Sequence, residues 1–262
     1  MQKTPEQVLS EKLFKKICRK LGTTMRDHQM IEKGDHVLVG LSGGKDSMIL
    51  LEALAERKRA LPFEFTLTAA HIEATGIGYE IDRKKLTTFC EELDVPLHYR
   101  SIEPDLEKDP SKAACFVCSW HRRKELFKLS RELKCNKLAL GHHRNDALET
   151  LLLNMIYHGS ISSLPYSLLM FKGRMQLIRP MMDLDERMLK DYAELNSLVE
   201  LEKSCPHEDL TQRESIRKLI RNIEELHGMG PYNVFKSMNK IFAEYLPTKD
   251  QIPRPFQTRT PP

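Results

Sequence analysis

The sequence predicts an α/β protein: a doubly wound parallel sheet with an N-terminal helix and a helical C-terminal extension. Short apolar runs, typical of buried strands, alternate with helical patterns between about residues 36 and 158. A glycine-rich turn joins the first strand to its helix, and beyond about residue 183 the pattern becomes mostly helical. Strands and helices that alternate at this spacing form βαβ units, which build a parallel sheet covered on both faces.

The elements follow in chain order. Residues 6–32 carry leucine and isoleucine at helical spacing, which predicts an amphipathic helix. The uninterrupted apolar run at 36–41 is the first strand, and a helix at 46–59 follows it. The rest of the α/β region is predicted to contain strands at 65–72, 97–102 and 137–140 and helices at 79–94, 118–134 and 145–158. Three further helices are expected at 185–198, 210–227 and 233–246.

These elements divide the chain into four predicted segments. An N-terminal helical segment, residues 1–32, precedes an α/β domain at 33–182 that carries the glycine-rich turn. A helical C-terminal region at 183–246 follows. The tail at 247–262 contains five prolines, a composition typical of an extended chain without a packed core.

Composition excludes several classes of protein. The 262 residues are 40% hydrophobic and 30% charged, as in ordinary globular proteins. The net charge of +4 is too small to indicate a nucleic acid partner by itself. No window approaches the roughly 20 apolar residues of a membrane span, and the N-terminus lacks the apolar stretch of a signal peptide. We therefore expect no membrane association and a cytoplasmic location.

The glycine-rich turn is the strongest functional signal in the sequence. Its residues are Ser42, Gly43, Gly44, Lys45, Asp46 and Ser47. In a parallel α/β sheet, ligands bind beyond the carboxyl ends of the strands. Consecutive glycines let backbone N–H groups converge on an anion, and the following helix offers its positive end. Because the lysine adds charge and the two serines add hydroxyl donors, the turn predicts a phosphate-binding loop.

The spacing excludes two common phosphate loops. A Walker loop has four residues between its glycines and Ser or Thr directly after the lysine. Here three residues separate Gly40 from Gly44, and Asp46 follows Lys45. The dinucleotide pattern Gly-x-Gly-x-x-Gly is absent as well. The turn instead resembles the pyrophosphate loop of the ATP pyrophosphatases, the PP-loop enzymes, which cleave ATP between its α and β phosphates.

A second polar cluster follows the strand predicted at 137–140. It contains Gly141, His142, His143, Arg144, Asn145, Asp146 and Glu149. Because the carboxyl ends of parallel strands meet at one edge, we expect this cluster beside the phosphate loop. Its basic side chains could contact phosphate or RNA. Asp146 and Glu149 could share a helix face at the site, or form a capping box with Asp146 as the N-cap.

The six cysteines fall into two groups. Three lie singly inside apolar patterns and are expected in the core: Cys18, Cys90 and Cys135. The others are a Cys-x-x-Cys pair, Cys115 and Cys118, and the distant Cys205. A structural zinc site would need a fourth ligand such as His121 or His207. A redox dithiol would need only the pair, and an iron–sulfur cluster with three protein ligands would leave one iron open to hold an extra sulfur. The residues alone leave these alternatives open.

Two predicted helical stretches, 118–134 and 211–222, are rich in arginine and lysine. Their basic residues include Arg122, Arg123, Lys124, Lys128, Arg131, Lys134, Arg213, Arg217, Lys218 and Arg221. Such helices could hold an RNA backbone, although each charge run could equally be a solvated face.

Together these motifs resemble the tRNA 2-thiocytidine synthetase family of PP-loop enzymes, over roughly residues 30–245. Besides the loop, the cysteines and residues 141–150, the resemblance rests on residues 178–181 (Ile-Arg-Pro-Met) ahead of a helix with Glu186. There are two departures. Asn145 stands where the family has the first acid of Gly-His-His-x-Asp-Asp, and Glu208 replaces the second cysteine of a later Cys-x-x-Cys.

The resemblance implies ATP-dependent tRNA thiolation. The C2 oxygen of a pyrimidine would attack the α phosphorus of ATP, pyrophosphate would leave, and sulfur would then displace AMP, forming 2-thiocytidine in the anticodon loop. Lys45 and Asp46 would be catalytic, Asp46 would help to hold Mg²⁺, and a 4Fe-4S cluster would bind Cys115, Cys118 and Cys205. The implied ATP-binding residues are Leu41, Ser42, Gly43, Gly44, Lys45, Asp46, Ser47, His71, Ala74, Gly141, His142 and Asp146. The implied partners are tRNA, a sulfur donor (a cysteine desulfurase or sulfide) and a second copy in a homodimer.

Three other functions fit some of the same features. A PP-loop enzyme could thiolate uridine or attach an amine to cytidine, but amine ligases have no use for three cysteines. The protein could instead be an AMP-forming ligase or desulfurase acting on a small molecule, with its basic helices merely solvated. Lys45, Asp46 and the three cysteines argue against an RNA-binding protein without catalytic activity.

Overall fold

The computed structural model describes residues 3–76, 81–104, 114–198 and 212–246. The strands are β1 (His36–Gly40), β2 (Thr66–Ala74), β3 (Leu97–Ile102), β4 (Lys137–Ala139), β5 (Ser167–Met170) and β6 (Met175–Ile178). The helices are α1 (Pro5–Asp27), α2 (Lys45–Ala60), α3 (Arg83–Glu92), α4 (Ala114–Glu132), α5 (Arg144–His158), α6 (Glu186–Leu195), α7 (Gln212–Leu226) and α8 (Gly230–Ser237), with a 3-10 turn at Ala243–Tyr245.

The strands form a single sheet in the order β3-β2-β1-β4-β6-β5. β1 pairs in parallel with β2 on one side and with β4 on the other. The chain moves outward from β1 through β2 to β3 and then crosses back to β4, so the strand order reverses between β1 and β4. Sheets of this class bind ligands at that switch point. The predicted doubly wound α/β class is confirmed.

Both faces of the sheet are covered, as the uninterrupted apolar strands require. Alternate side chains of β1 divide between two cores: Val37 and Val39 pack with α1, α2 and α6, whereas Leu38 packs with α4. This division follows from the two-residue period of a strand. The N-terminal helix joins the first core through buried side chains that include Ile17 and Leu21. Thr4 and Gln7 form a capping box at its start.

An antiparallel hairpin, β5–β6, adds an edge that the sequence pattern did not predict. β6 pairs in parallel with β4, and β5 then pairs antiparallel with β6. Three successive residues of the turn, Phe171, Lys172 and Gly173, have positive φ. β5 lacks the buried alternation of a core strand, since Leu168 and Leu169 are exposed. Hydrophobic patterning therefore gave no signal for it.

Several predicted helix boundaries also need correction. The helix expected from 118 begins at Ala114, so the cysteine pair lies within its first two turns. The helix expected at 233–246 is instead α8 followed by a separate 3-10 turn. Cys205 and the proline-rich tail lie outside the described residues. Within the described ranges, no helix combines the length and the apolar character needed to cross a bilayer.

Candidate active site

The phosphate loop leaves the carboxyl end of β1 and is braced by its own serines. Leu41 is buried, and its N–H donates to the carbonyl oxygen of Ala70 (2.8 Å). Ser47 Oγ donates to the carbonyl oxygen of Gly44 (2.9 Å) and accepts from the backbone N–H of Ser42 (3.1 Å). The single hydroxyl proton of Ser47 is thereby used inside the loop. In the structure this hydroxyl shapes the loop, and the predicted contact of Ser47 with phosphate stays a prediction.

Gly43 has a φ of 95°, a backbone conformation that favours glycine. Its neighbour Gly44 is the N-cap of α2, which starts at Lys45. The loop therefore lies directly ahead of the positive end of a 16-residue helix, as an anion site requires.

The two carboxylate oxygens of Asp46 differ in their surroundings. Its Oδ2 is 3.2 Å from Lys45 Nζ, whereas Oδ1 is buried and has no hydrogen bond within the described part of the chain. Burial raises the pKa of this carboxyl, and His143 and Lys45 oppose the rise. A buried oxygen without a donor is costly unless a cation or another ligand group satisfies it. Mg²⁺ prefers oxygen ligands such as carboxylates. The side chain of Asp46 is therefore suited to bind magnesium.

Gly141 brings the polar turn after β4 into contact with this loop. A Cβ atom there would lie 3.1 Å from the backbone of Asp46 and 3.1 Å from the nitrogen of Ser47. Those contacts are backbone atoms at the start of α2, which cannot move aside as a flexible side chain could. The expectation that the two motifs meet at the sheet edge is confirmed, and a side chain at this position would force the start of α2 to shift by a few tenths of an ångström.

His142 is held in one tautomer by Arg179. Arg179 Nε donates to His142 Nδ1 (3.3 Å), and Arg179 Nη1 donates to the carbonyl oxygen of Pro165 (2.7 Å). Because Nδ1 accepts, the ring proton of neutral His142 lies on Nε2. Burial lowers the pKa of His142 to about 4; Asp146 opposes this, and Arg179 lowers the pKa further. The sequence singled out His142, but it treated Arg179 only as part of a motif.

This pKa predicts an acid-sensitive contribution of His142 to stability. The folded ring takes up a proton only near pH 4, whereas an unfolded histidine does so near pH 6.5, so the free energy of unfolding falls as the pH drops below about 6.5. Between pH 7 and pH 5, wild type should lose up to about 2 kcal/mol more than His142→Gln. Urea unfolding at both pH values measures this difference. Equal losses in the two proteins would contradict the assignment.

His143 caps α5 and connects the two acids of the site. Its Nδ1 accepts from the backbone N–H of Asn145 (3.2 Å), and its Nε2 lies 3.6 Å from Asp146 and 3.9 Å from Asp46. Asp146 in turn accepts the backbone N–H of His143 (2.8 Å). The capping box therefore consists of His143 and Asp146. The alternative that Asp146 and Glu149 form a capping box is wrong. His143 was absent from the predicted ligand residues, although its place in Gly-His-His was a usable signal.

Asn145, which stands where the family has an acid, forms a hydrogen bond with a neighbouring helix. Asn145 Nδ2 donates to Glu186 Oε2 across 3.3 Å, which joins the start of α5 to the start of α6. An aspartate at this position would set two carboxylates against each other. Asparagine and Glu186 are thus compatible in this chain.

Glu149 turns away from Asp146 toward α7. The glutamate is buried, and its Oε1 accepts from Arg217 Nε (3.0 Å). Burial raises the pKa of Glu149, and Arg217 opposes the rise. From the sequence, Arg217 was a candidate RNA contact and Glu149 could share a helix face with Asp146. In the structure, Arg217 and Glu149 pair with each other. This ion pair attaches α7 to α5.

Arg217→Met is expected to lower the free energy of unfolding by about 1–3 kcal/mol, because it leaves a buried carboxylate without its donor. Arg221→Met on the same helix is the matched control. Arg221 pairs with Glu214 at the surface, where such pairs contribute at most about 1 kcal/mol. The loss should shrink when Glu149→Gln is already present, which denaturation of the double variant measures. Undiminished destabilisation there would show that the ion pair is not its cause.

Two of the residues implied to bind ATP, His71 and Ala74, lie on β2. His71 is fully buried, its Nδ1 donates to the carbonyl oxygen of Leu41 (2.8 Å), and burial lowers its pKa. It thereby supports the start of the phosphate loop from behind. Ala74, at the end of the strand, is buried against Ile102 and Cys118.

Among the three cysteines predicted to bind the 4Fe-4S cluster, Cys118 is the one whose side chain the structure describes. It packs on Ala74 at the carboxyl end of β2, the same sheet edge as the phosphate loop. Cys115 lies in the first turn of α4, and Cys205 lies outside the described residues. The three cysteines predicted as core residues are buried, which confirms that expectation: Cys18, Cys90 and Cys135.

A cavity of about 1310 Å³ opens at the switch point. It runs from Leu41, Asp46 and His142 along α4 to the β5–β6 hairpin. Among the described residues that line it, Asp46 and Asp146 are the acids. The basic lining residues are Arg122, Arg123, Lys124, Lys128, Arg131, Lys134, Arg174, Arg179 and Arg213. Such an excess of positive charge suits a large polyanion.

An anion loop and a second polar turn at the switch point of a doubly wound sheet define a nucleotide-binding α/β protein. The family model of the PP-loop domain matches residues 12–223 of the chain. Curated proteins named tRNA-cytidine(32) 2-sulfurtransferase are similar: that of Neisseria gonorrhoeae is 32% identical over 94% of this chain and 78% of its own, and that of Polynucleobacter asymbioticus is 33% identical over 90% and 79%. The chain therefore belongs to the PP-loop family, in the branch of the tRNA 2-thiocytidine synthetases.

A solved structure agrees with this assignment. The U34-tRNA thiolase NcsA from Methanococcus maripaludis, determined with its 4Fe-4S cluster, superposes with a TM-score of 0.73. It is 26% identical in sequence, and the match covers 88% of this chain and 79% of that one.

Proposed function

We propose that this protein is an ATP-dependent tRNA thiolase that replaces the C2 oxygen of cytidine 32 with sulfur. The observation that carries the proposal is the contact of Gly141 with the start of α2, which brings His142 to the phosphate loop, where Asp46 Oδ1 is buried without a hydrogen-bond partner among the described residues. A cavity with a basic wall opens directly from these residues. The names of the curated relatives supply the base and its position.

The proposed reaction has two balanced steps. The pyrimidine O2 attacks the α phosphorus of ATP, an O–P bond forms, and the bond to the bridging oxygen breaks as pyrophosphate leaves with the electron pair. Sulfide, either free or released from the persulfide of a cysteine desulfurase by a thiol that supplies two electrons, then attacks C2. With sulfide, a C–S bond forms, the C–O bond breaks, AMP leaves with the electron pair, and the sulfide proton goes to solvent.

The residues of this chain act by position and charge. The backbone N–H groups of the loop and Lys45 would hold the phosphates, with adenine near Leu41 and the end of β2. Magnesium on Asp46 would neutralise phosphate charge. His142 would offer its Nε2–H to an oxygen in the cavity, because Arg179 occupies Nδ1.

Cys115, Cys118 and Cys205 are the proposed ligands of a 4Fe-4S cluster. The support is the position of Cys118 at the carboxyl end of β2, on the same edge of the sheet as the phosphate loop, and the positive end of α4, which favours thiolates. The structural relative with a cluster points the same way. When bound, such a cluster supplies an open position for the incoming sulfur.

The proposed partners of the protein are tRNA and a second copy of the chain, and its proposed location is the cytoplasm. The basic wall along α4 would hold the tRNA backbone. A homodimer is proposed from the family resemblance alone. Action on tRNA would place the protein in the cytoplasm, without need of a membrane.

Uridine thiolation is the second candidate, favoured by the similarity to the U34-tRNA thiolase. One experiment separates the two: the modified nucleosides of tRNA from a strain lacking this protein. Loss of 2-thiocytidine, restored by wild type but not by Asp46→Asn, is the expected result. Loss of a thiolated uridine instead would assign the second candidate, and an unchanged profile would overturn both.

A further inference from the structure

One face of α4 presents aromatic and basic side chains to the cavity. Trp120, Lys124, Phe127 and Arg131 all line it, at spacings of four, three and four residues that keep side chains on the same face of a helix. Trp120 is 47% exposed, and Lys124 Nζ lies 5.1 Å from the centroid of its ring. A large indole thus stands half in solvent at the edge of a basic cavity.

The hairpin adds a second exposed ring to the same wall. Phe171 is 54% exposed, lines the cavity, and packs edge to face on Phe127 with centroids 5.3 Å apart. Its φ of 52° is rare for a bulky residue and costs on the order of 1 kcal/mol. The turn therefore keeps an aromatic ring exposed in a backbone conformation that local stability alone would disfavour.

Half-exposed aromatic rings interspersed with cations are the surface that unpaired nucleobases bind. Bases stack on the rings while Arg and Lys contact the phosphates, and no particular base is required. A paired duplex cannot use the rings, since its bases are already stacked. From Trp120 to Phe127 is two helical turns, about 10.5 Å along the axis, which spans about three nucleotides of stacked strand.

We propose that Trp120 and Phe171 are stacking platforms for unpaired bases next to the target nucleotide. The inference rests on the proposed function for the identity of the RNA, and it adds a determinant of substrate choice: a single-stranded loop is accepted and a duplex is rejected. Lys124 and Arg131 on the same face contact the phosphates between the stacked bases. The rings thereby select loop structure, while the inner site selects the reacting base.

Because Trp120 is the only tryptophan in the sequence, its fluorescence reports on this surface directly. The probes are an RNA stem with an unpaired pyrimidine-containing seven-nucleotide loop and a fully paired RNA duplex of equal length. The stem-loop should quench Trp120 emission and the duplex should not. Trp120→Leu and Phe171→Leu should each weaken stem-loop binding about tenfold, whereas Trp120→Phe should stay within about twofold of wild type. Phe242→Leu, which removes an exposed ring outside the cavity lining, is the control and should bind normally.

Salt dependence separates stacking from charge. The leucine variants should lower affinity with an unchanged slope against salt, because stacking releases no counterions; Lys124→Met should reduce the slope by about one charge. Stem-loop binding without quenching, equal binding of the duplex, or quenching by anionic phospholipid vesicles instead of RNA would each overturn the inference. A failure of the proposed function can be told apart from a failure of this inference. In the first case the tRNA nucleosides of the strain lacking the protein are unchanged, while the stem-loop RNA still binds and quenches Trp120 as expected.

Discussion

Asp46→Asn should reduce pyrophosphate release by about 10²–10³-fold in the presence of ATP, Mg²⁺ and tRNA. Asparagine keeps the shape of the side chain but removes the negative charge and replaces one of the two oxygens. In aspartate, Oδ1 is buried and has no hydrogen-bond partner among the residues that the structure describes. The folded protein should not be weakened, because burial already disfavours the charge of Asp46 and raises its pKa. Loss of activity with an unchanged melting temperature is therefore the expected signature of a ligand-binding carboxylate.

The matched control for this variant is Glu56→Gln. Glu56 lies further along the same helix, and its exposed side chain pairs at the surface with Arg59 (3.8 Å). It should release pyrophosphate at the wild-type rate. Labelled ATP identifies the products: AMP and pyrophosphate are expected, and ADP as the main product would contradict an ATP pyrophosphatase.

Cys118→Ser and Cys205→Ser should each abolish sulfur transfer and remove bound iron, whereas ATP binding persists. Anaerobically purified wild type is expected to be brown and to contain about four iron and four sulfide per chain. Two remaining cysteines would leave a cluster exposed and labile. A redox dithiol at Cys115 and Cys118 would not need Cys205 to retain metal, so the second variant separates the two alternatives.

Cys90→Ala and Cys135→Ala are the controls for the cysteine prediction. Both thiols are buried, and burial raises the pKa of Cys90 to about 12 and that of Cys135 to about 11. Because both thiols are protonated at neutral pH, neither is suited to bind metal, and both variants should stay brown. Colourless wild-type protein containing zinc, or full iron content in Cys205→Ser, would return the three cysteines to a structural role.

Local chemistry explains why the phosphate loop could be predicted from sequence. Paired glycines before a lysine at a strand end have few uses other than binding an anion, and the sheet rule then places Gly141 beside them. The α/β class followed from periodicity for the same reason, since buried strands and covering helices have distinct patterns.

The features that sequence reasoning missed all depend on contacts between distant segments. Arg179 acts on His142 because β6 lies beside β4, and Arg217 reaches Glu149 because α7 packs on α5. A basic residue in a sequence does not reveal whether its partner is RNA or a buried carboxylate. The hairpin escaped detection because its exposed strand lacks the usual periodicity and because Gly173 is the one typical turn residue among the three positive-φ residues of its turn.

The close packing of Gly141 on the start of α2 has a consequence for folding. The nucleotide site is incomplete until the sheet is assembled. The phosphate loop after β1 and the polar turn after β4 come into contact only when β4 pairs with β1. Nucleotide that binds the finished site must therefore stabilise the whole parallel sheet, by about 2.7 kcal/mol at a hundred times its dissociation constant. In a cell, the supply of ATP would then help to set how much of this protein survives proteolysis, as well as how fast it works.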